Sequence, residues 1–188
     1  MEDWVIRAMA RWPDVPALFG WLGLDRRGRW LIRGEPITRP QIVETINRNY
    51  AADEYGRWYF QNGPQRGYMR LEYAPLVLHT AGDGLLAHTG ACVGQVLNVF
   101  LDEEGSVLLL TDLGPGLLAD VDLDWALSRL EGEGGQVPNE AALSQALALP
   151  SGAPTGLRLR LGALRLPVFR LDGALAPEVL GFVRNPQA

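Results

Sequence analysis

Three side chains in this sequence, His79, His88 and Cys92, could supply nitrogen or sulfur to a metal ion. His88 and Cys92 stand four residues apart, a spacing that shares one helix face. The intervening Thr89-Gly90-Ala91 disfavours a helix, and a zinc centre needs four ligands or three plus water. No metal site and no cofactor are therefore expected. Cys92 as a nucleophile would need a basic neighbour to lower its pKa, and the small apolar residues around it predict a buried, inert thiol. All 17 basic residues are arginine, so Schiff-base and phosphate-loop lysines are excluded. No glycine-rich phosphate loop, nucleophile elbow or dinucleotide fingerprint is present. No residue is assigned as catalytic.

Arginines interleaved with aromatics form the second candidate chemistry. Trp58, Tyr59, Phe60 and Tyr68 fall with Arg57, Arg66 and Arg70 on one predicted hairpin. Such a surface can stack bases and bind phosphates, as single-strand binders do. It can equally be a strand packed on a helix with arginines at its rim. The second reading is favoured, because acids are interleaved and residues 1–80 carry only 11 arginines against 9 acids.

These residues are positioned by elements legible in the chain. Asp3 to Arg11 is a predicted helix, with Trp4, Val5, Ala8, Met9 and Trp12 at helical spacing and Pro13 as its stop. Leu18–Leu24 and Arg29–Arg33 read as strands joined by an Asp25-Arg26-Arg27-Gly28 turn, in which Gly supplies a positive φ. Thr38 with Gln41 has capping-box spacing before a helix carrying Ile42, Val43, Ile46 and Tyr50 inward. Ala51 to Glu54 is expected to loop back to the aromatic strand from Arg57, followed by the Asn62-Gly63-Pro64 turn and a partner strand from Gly67 to Tyr73. On that partner, Tyr68, Arg70 and Glu72 share one face.

Thr80-Ala81-Gly82-Asp83-Gly84 is the expected boundary between residues 1–82 and 83–188. Beyond it the opening pattern recurs: Leu101-Asp102-Glu103-Glu104-Gly105-Ser106-Val107-Leu108 matches Leu24-Asp25-Arg26-Arg27-Gly28-Arg29-Trp30-Leu31 at an offset of 77. A Gly114-Pro115-Gly116 bend and a helix from about Leu123 to Leu130 are expected next, with Leu127 among its inward residues. An additional helix over Asn139 to Leu149 follows, then two strands over Leu157–Leu161 and Leu164–Leu171. Pro167 is expected to mark an edge. The fold class read from this is α+β: two similar units, each a β-hairpin, a short helix and further antiparallel strands, packed together, with an internal repeat.

The string Gly28-Arg29-Trp30, Gly34-Glu35-Pro36-Ile37-Thr38-Arg39, Ile42-Val43, Gly56-Arg57-Trp58-Tyr59 and Leu71-Glu72-Tyr73-Ala74-Pro75 resembles a proteobacterial family, domain of unknown function 1285. The resemblance runs from Leu24 to Pro75. It implies two similar α+β units and a ligand-binding or signalling role, and it brings no catalytic residue to carry over. Arg39 and Glu72 both stand in its motif positions. They are either an ion pair that fixes the unit or the polar end of a small pocket, and the pair is favoured.

Composition bounds the function. The formal net charge of −5 disfavours non-specific nucleic-acid binding. Residues 81–150 hold 1 arginine against 11 acids, and residues 151–188 hold 5 against 2. A single cysteine excludes an intrachain disulfide. Glu2 and Asp3 stand where a secretory signal would carry positive charge, and no apolar run reaches the ~20 residues of a membrane span, so a cytoplasmic protein is expected. The expected function is non-catalytic binding of a small ligand or a regulatory, signalling role in a bacterium; a single-strand nucleic-acid binder or an enzyme with an unrecognised site are the alternatives. The partner would be an anionic small molecule or another protein, with Arg39, Trp58, Arg66, Arg70 and Glu72 as binding residues. Its cavity is expected between the first hairpin-and-helix unit and the later strands.

Overall fold

Asp-x-x-Gly corners set the architecture. In the computed structural model, which describes residues 2–11 and 16–188, the chain divides into two compact units. One runs to Pro75 and is completed by Gly181–Ala188; the other is Leu76–Leu180.

The first unit opens with helix α1 (Asp3–Arg11), which buries Val5; its expected Trp12 and Pro13 lie outside the described residues. Strands β1 (Leu18–Leu24), β2 (Trp30–Ile32) and β3 (Glu35–Pro36) lead to α2 (Pro40–Arg48), then β4 (Tyr50–Ala52), β5 (Trp58–Asn62) and β6 (Gln65–Leu71). They form one sheet in the order β3-β2-β1-β6-β5-β4, with β1 and β6 parallel and every other pair antiparallel.

At the β1–β2 corner, Asp25 Oδ1 accepts the amides of Arg27 (3.0 Å) and Arg29 (2.8 Å), and Oδ2 accepts the Arg29 Nε–H at 2.6 Å. Asp53 repeats this at the β4–β5 corner, with the amides of Tyr55 and Arg57 at 3.0 Å each and Arg57 Nε at 2.7 Å. Gly28 and Gly56 take the positive φ (78° and 74°) that closes each turn. Gly56 has a second constraint: a Cβ there would stand 2.3 Å from the carbonyl oxygen of Gly181. The returning segment is bonded in at that point, with Val183 N donating to Gly56 O (3.0 Å) and Leu71 N donating to Arg184 O (2.7 Å).

The second unit contains β7 (Leu76–Ala81), β8 (Gly84–Ala87), β9 (Val96–Leu101), β10 (Val107–Thr111), β11 (Gly114–Leu118), α3 (Leu123–Leu127), β12 (Leu130–Glu131), α4 (Glu140–Ala148), β13 (Pro154–Leu161), β14 (Leu164–Arg170) and α5 (Ala176–Leu180). Its sheet runs β12-β13-β14-β9-β10-β11-β7-β8. Six of these strands, β11-β10-β9-β14-β13-β12, reproduce the order of the first sheet, including a parallel central pair, β9 with β14. The corner between β9 and β10 is again an aspartate: Asp102 Oδ1 accepts the amides of Glu104 (2.9 Å) and Ser106 (2.7 Å). The fold is thus α+β, two similar units built on one strand order.

Several local expectations are corrected. Thr38 does not cap α2; the residue before Pro40 is pushed to extended backbone, so Arg39 (φ −77°, ψ 115°) occupies the cap position without a side-chain cap bond. Tyr50 belongs to β4, not the helix, and Ile42 is exposed. Gly114-Pro115-Gly116 is not a bend but the start of β11, where Gly116 lets Leu78 pack closely; a Cβ would meet Leu78 Cδ1 at 2.6 Å. Leu127 is 45% exposed while its side chain also lines an apolar pocket, and Leu130 lies in β12. Pro167 sits in an interior strand, beside Arg158 on β13 and one residue before the parallel pairing with β9 begins at Val168. Thr80–Gly84 forms the turn of the β7–β8 hairpin. Asn139 does cap α4, its Oδ1 accepting the Ala142 amide at 2.9 Å.

Candidate functional site

Pleating places alternate residues of β1 on opposite faces of the first sheet. Leu24 pairs with Trp30 and Leu71 on the inner face, where all three are buried. Gly23 pairs with Leu31 and Arg70 on the outer face. With hydrogen in place of a side chain at Gly23, the outer face is hollow: a Cβ would come within 3.2 Å of the Arg70 carbonyl oxygen.

The hollow is an open groove of about 670 Å³. Trp21 and Arg33 line it, the guanidinium carbon 3.8 Å from the centre of the indole, and so do Arg70 and Glu72. Arg33 holds an unusual backbone. Its φ of 52°, followed by Gly34 at 88°, makes the two-residue turn between β2 and β3, and its amide donates to Trp21 O at 2.7 Å. Among the described residues it is the sole non-glycine with positive φ, a conformation that disfavours side chains and concentrates at functional positions. The groove-lining residues include one carboxylate and no histidine, serine or cysteine.

Of the residues singled out from sequence, Arg70 and Glu72 meet in this groove. The Glu72 Oε2 atom accepts the Arg26 amide at 3.1 Å. Among the described residues no ion pair joins Glu72 to Arg39, which lies at the start of α2. Trp58 is buried on the opposite face, its ring 4.9 Å from Tyr50, which in turn stands edge-on to Trp30 at 4.7 Å. Arg66 lies on the groove face but four residues before Arg70, about 13 Å along the strand. It donates to Gln61 Oε1 at 3.2 Å and covers the Tyr59 ring. Trp21 and Arg33 were not singled out; the signal for Arg33 was the Arg33-Gly34 pair between two short β segments, a two-residue hairpin turn.

The family description "Protein of unknown function (DUF2946)", family DUF2944, matches residues 1–187. The chain belongs to this family. A DUF1285 family protein from Silicibacter pomeroyi DSS-3 shares its fold, with a TM-score of 0.55 at 17% identity over 86% of each chain. A DUF1285 family protein from Shewanella baltica OS155 aligns with a TM-score of 0.42 at 14% identity, over 54% of this chain and 85% of that one. No curated protein matches. The DUF1285 resemblance read from residues 24–75 is therefore a likeness of fold as well.

Beside the groove, the outer face of this DUF2944 chain carries a cluster of rings and arginines. Phe19 stacks on Tyr68 (4.7 Å, 5°), Tyr68 meets Tyr59 edge-on at 5.7 Å, and Arg57 lies 4.8 Å over Tyr68. Asp53 anchors the cluster, its Oδ2 accepting both the Tyr68 hydroxyl and the Arg57 guanidinium. Burial alone would raise the Asp53 pKa. Hydrogen bonds from the Arg57 amide and guanidinium, the Tyr55 amide and the Tyr68 hydroxyl together outweigh it and hold the carboxyl below its ordinary value.

The nitrogen and sulfur candidates do not converge. His79 Nδ1 lies 3.2 Å from Asp122 Oδ2, His88 Nδ1 accepts the Val77 amide at 3.2 Å, and Cys92 is exposed, against the buried thiol expected. Among the described residues no three metal-ligating side chains come together, and no helix is long and apolar enough to cross a membrane.

Proposed function

We propose that this protein is a non-catalytic binder of a small anionic molecule, held in the outer groove of the first sheet. The observation that carries the reading is the Trp21–Arg33 stack in a groove that also contains Arg70. Arginine grips carboxylate or phosphate oxygens through two parallel N–H bonds, and a half-exposed indole offers a flat apolar wall. Glu72 sets the polarity at one end and selects against ligands with a second anionic group there. Arg66 is the next cation along β6 that a longer ligand would meet; Arg39, at the start of α2, and Trp58, buried on the opposite face, do not line the groove. The role is regulatory or signalling, in a bacterial cytoplasm; no membrane is involved and nucleic acid is disfavoured by the net charge of −5.

The test is a thermal-shift screen at fixed ionic strength with inorganic phosphate, citrate, aromatic and aliphatic monocarboxylates and mononucleotides. A ligand at ~100 times its Kd adds roughly 2.7 kcal/mol of stability, a readily measured shift. Arg33→Ala and Arg70→Ala each weaken a genuine hit at least tenfold, while Arg66→Ala reports how far the ligand extends along β6. Hits that neither Arg33→Ala nor Arg70→Ala affects overturn the location. If no probe shifts the protein, a protein partner becomes the better reading.

A further inference from the structure

Behind β9 and β10 the second unit has a partly open pocket of about 120 Å³ whose lining contains no polar side chain: Leu101, Gly105, Val107, Leu123, Ala126, Leu127, Leu130, Leu143 and Leu147. The shared strand order and the matching corners say what fills this place in the first unit. Val107 pairs with Leu101 as Trp30 pairs with Leu24, and Leu130 opens the edge strand β12 as Tyr50 opens β4. Trp30 and Tyr50 are in edge-to-face contact there. An indole has become an isopropyl group and a phenol an isobutyl group. The additional helix α4 sends Leu143 and Leu147 into the vacated space and leaves a remnant unfilled.

From this we infer that the second unit binds a small neutral apolar molecule, a monocyclic aromatic or a hydrocarbon of similar size, in the position of the missing ring. A cavity of about 150 Å³ with aliphatic and aromatic walls stays dry and takes up benzene, and this one is of the same order and chemistry. Apolar walls that face empty space lack dispersion partners on one side, and an occupant supplies them. Leu127 forms one wall and is 45% exposed, and Leu123, Leu143 and Leu147 are half-buried, so the pocket is reached from solvent between these side chains. The site is independent of the anion groove, since every lining residue belongs to the second unit.

Benzene and toluene at millimolar concentration are the probes. Either raises the melting temperature by about 3 °C at ten times its Kd, and methyl NMR shows perturbations centred on Leu123, Leu127, Leu143 and Leu147. Val107→Phe restores a ring from within and removes the shift; Ala126→Val does the same with a smaller change should the first variant fold poorly. Arg33→Ala leaves the shift intact. The inference is overturned if the protein shows neither a thermal shift nor perturbation of those methyl groups. It is equally overturned if a folded Val107→Phe or Ala126→Val protein responds as the unaltered one does.

Discussion

The two sheets share a strand order yet differ in the side chains at their central parallel pair. In the first, Trp30, Tyr50 and Trp58 form an aromatic core, and the outer face at the parallel pair carries Gly23 beside Arg70. In the second, the core is aliphatic, while Phe100 and Phe169 stand side by side in the positions of Gly23 and Arg70, their rings 6.4 Å apart. The outer hollow of the first sheet lies at Gly23 and is lined by arginines, whereas the second sheet has an apolar pocket on its inner face and a hollow of about 390 Å³ lined by Phe100 and Phe169 on its outer face. A shared strand order therefore does not fix where hollows form; the distribution of side-chain volume across the pleat does. Close packing makes the exchange consequential, because a ring moved from one face to the other leaves space that its neighbours only partly reclaim.

The comparison breaks most forcefully at Trp30. Trp30→Val gives the first core the second core's residue, deletes buried surface and strips Asn47 of its bond from the indole N–H (2.7 Å). The expected loss is about 3 kcal/mol in urea denaturation; a loss under about 1 kcal/mol would show that the aromatic core is not what stabilises the first unit.

Next in size is Asp53→Asn, which weakens the corner shared by the amides, Arg57 and Tyr68, at a cost of about 2 kcal/mol. Because the folded pKa is lowered, the ionised form is favoured by folding. The contribution is complete above the unfolded value near ~3.9 and disappears as pH falls through the folded value. Melting curves of the two proteins should therefore converge below about pH 4; a gap that persists into strong acid would remove the charge from the explanation.

Helix starts sharpen the contrast further. Asn139→Ala should cost about 1 kcal/mol through its cap bond, whereas Thr38→Ala should stay within about 0.5 kcal/mol. Equal losses would return the capping role to Thr38. The smallest effect is expected at Arg33. Arg33→Asn relieves a disfavoured φ and should raise stability by about 0.5 kcal/mol while weakening any anion bound in the groove. A variant that gains stability and keeps full affinity would separate the backbone strain from binding.

The legible parts of the fold are those written in short-range chemistry. Asp25-x-x-Gly28 and Asp102-x-x-Gly105 announce their corners because aspartate can accept the turn amides and glycine can take a positive φ. Asp53-Glu54-Tyr55-Gly56-Arg57-Trp58 repeats Asp25-Arg26-Arg27-Gly28-Arg29-Trp30 at an offset of 28 and was legible on the same grounds, but the loop expected over Ala51 to Glu54 concealed it. Elsewhere a second constraint overrode the local signal. Pro40 displaced the cap from Thr38, and pairing with β10, joined at Gly116 by pairing with β7, straightened Gly114-Pro115-Gly116. Of the groove, Arg70 and Glu72 could be placed on one face by parity. Trp21 could not, because Leu18-Phe19-Gly20-Trp21-Leu22-Gly23-Leu24 reads as a uniformly apolar run, and the empty site at Gly23 shows only once Arg70 is its neighbour.

The return of residues 181–188 to the first unit sets the timing of its birth on the ribosome. The carbonyl of Gly56, the amide of Leu71 and the ring of Tyr73 wait for Val183 and Arg184, which are synthesised after the whole of the second unit. About 100 residues at 5–20 per second put a delay of roughly 5–20 s between the last strand of the first sheet and the segment that completes it. During that interval the nascent first unit has unpaired backbone where the tail belongs, and the second unit, continuous in the chain, is free to fold before the first is finished.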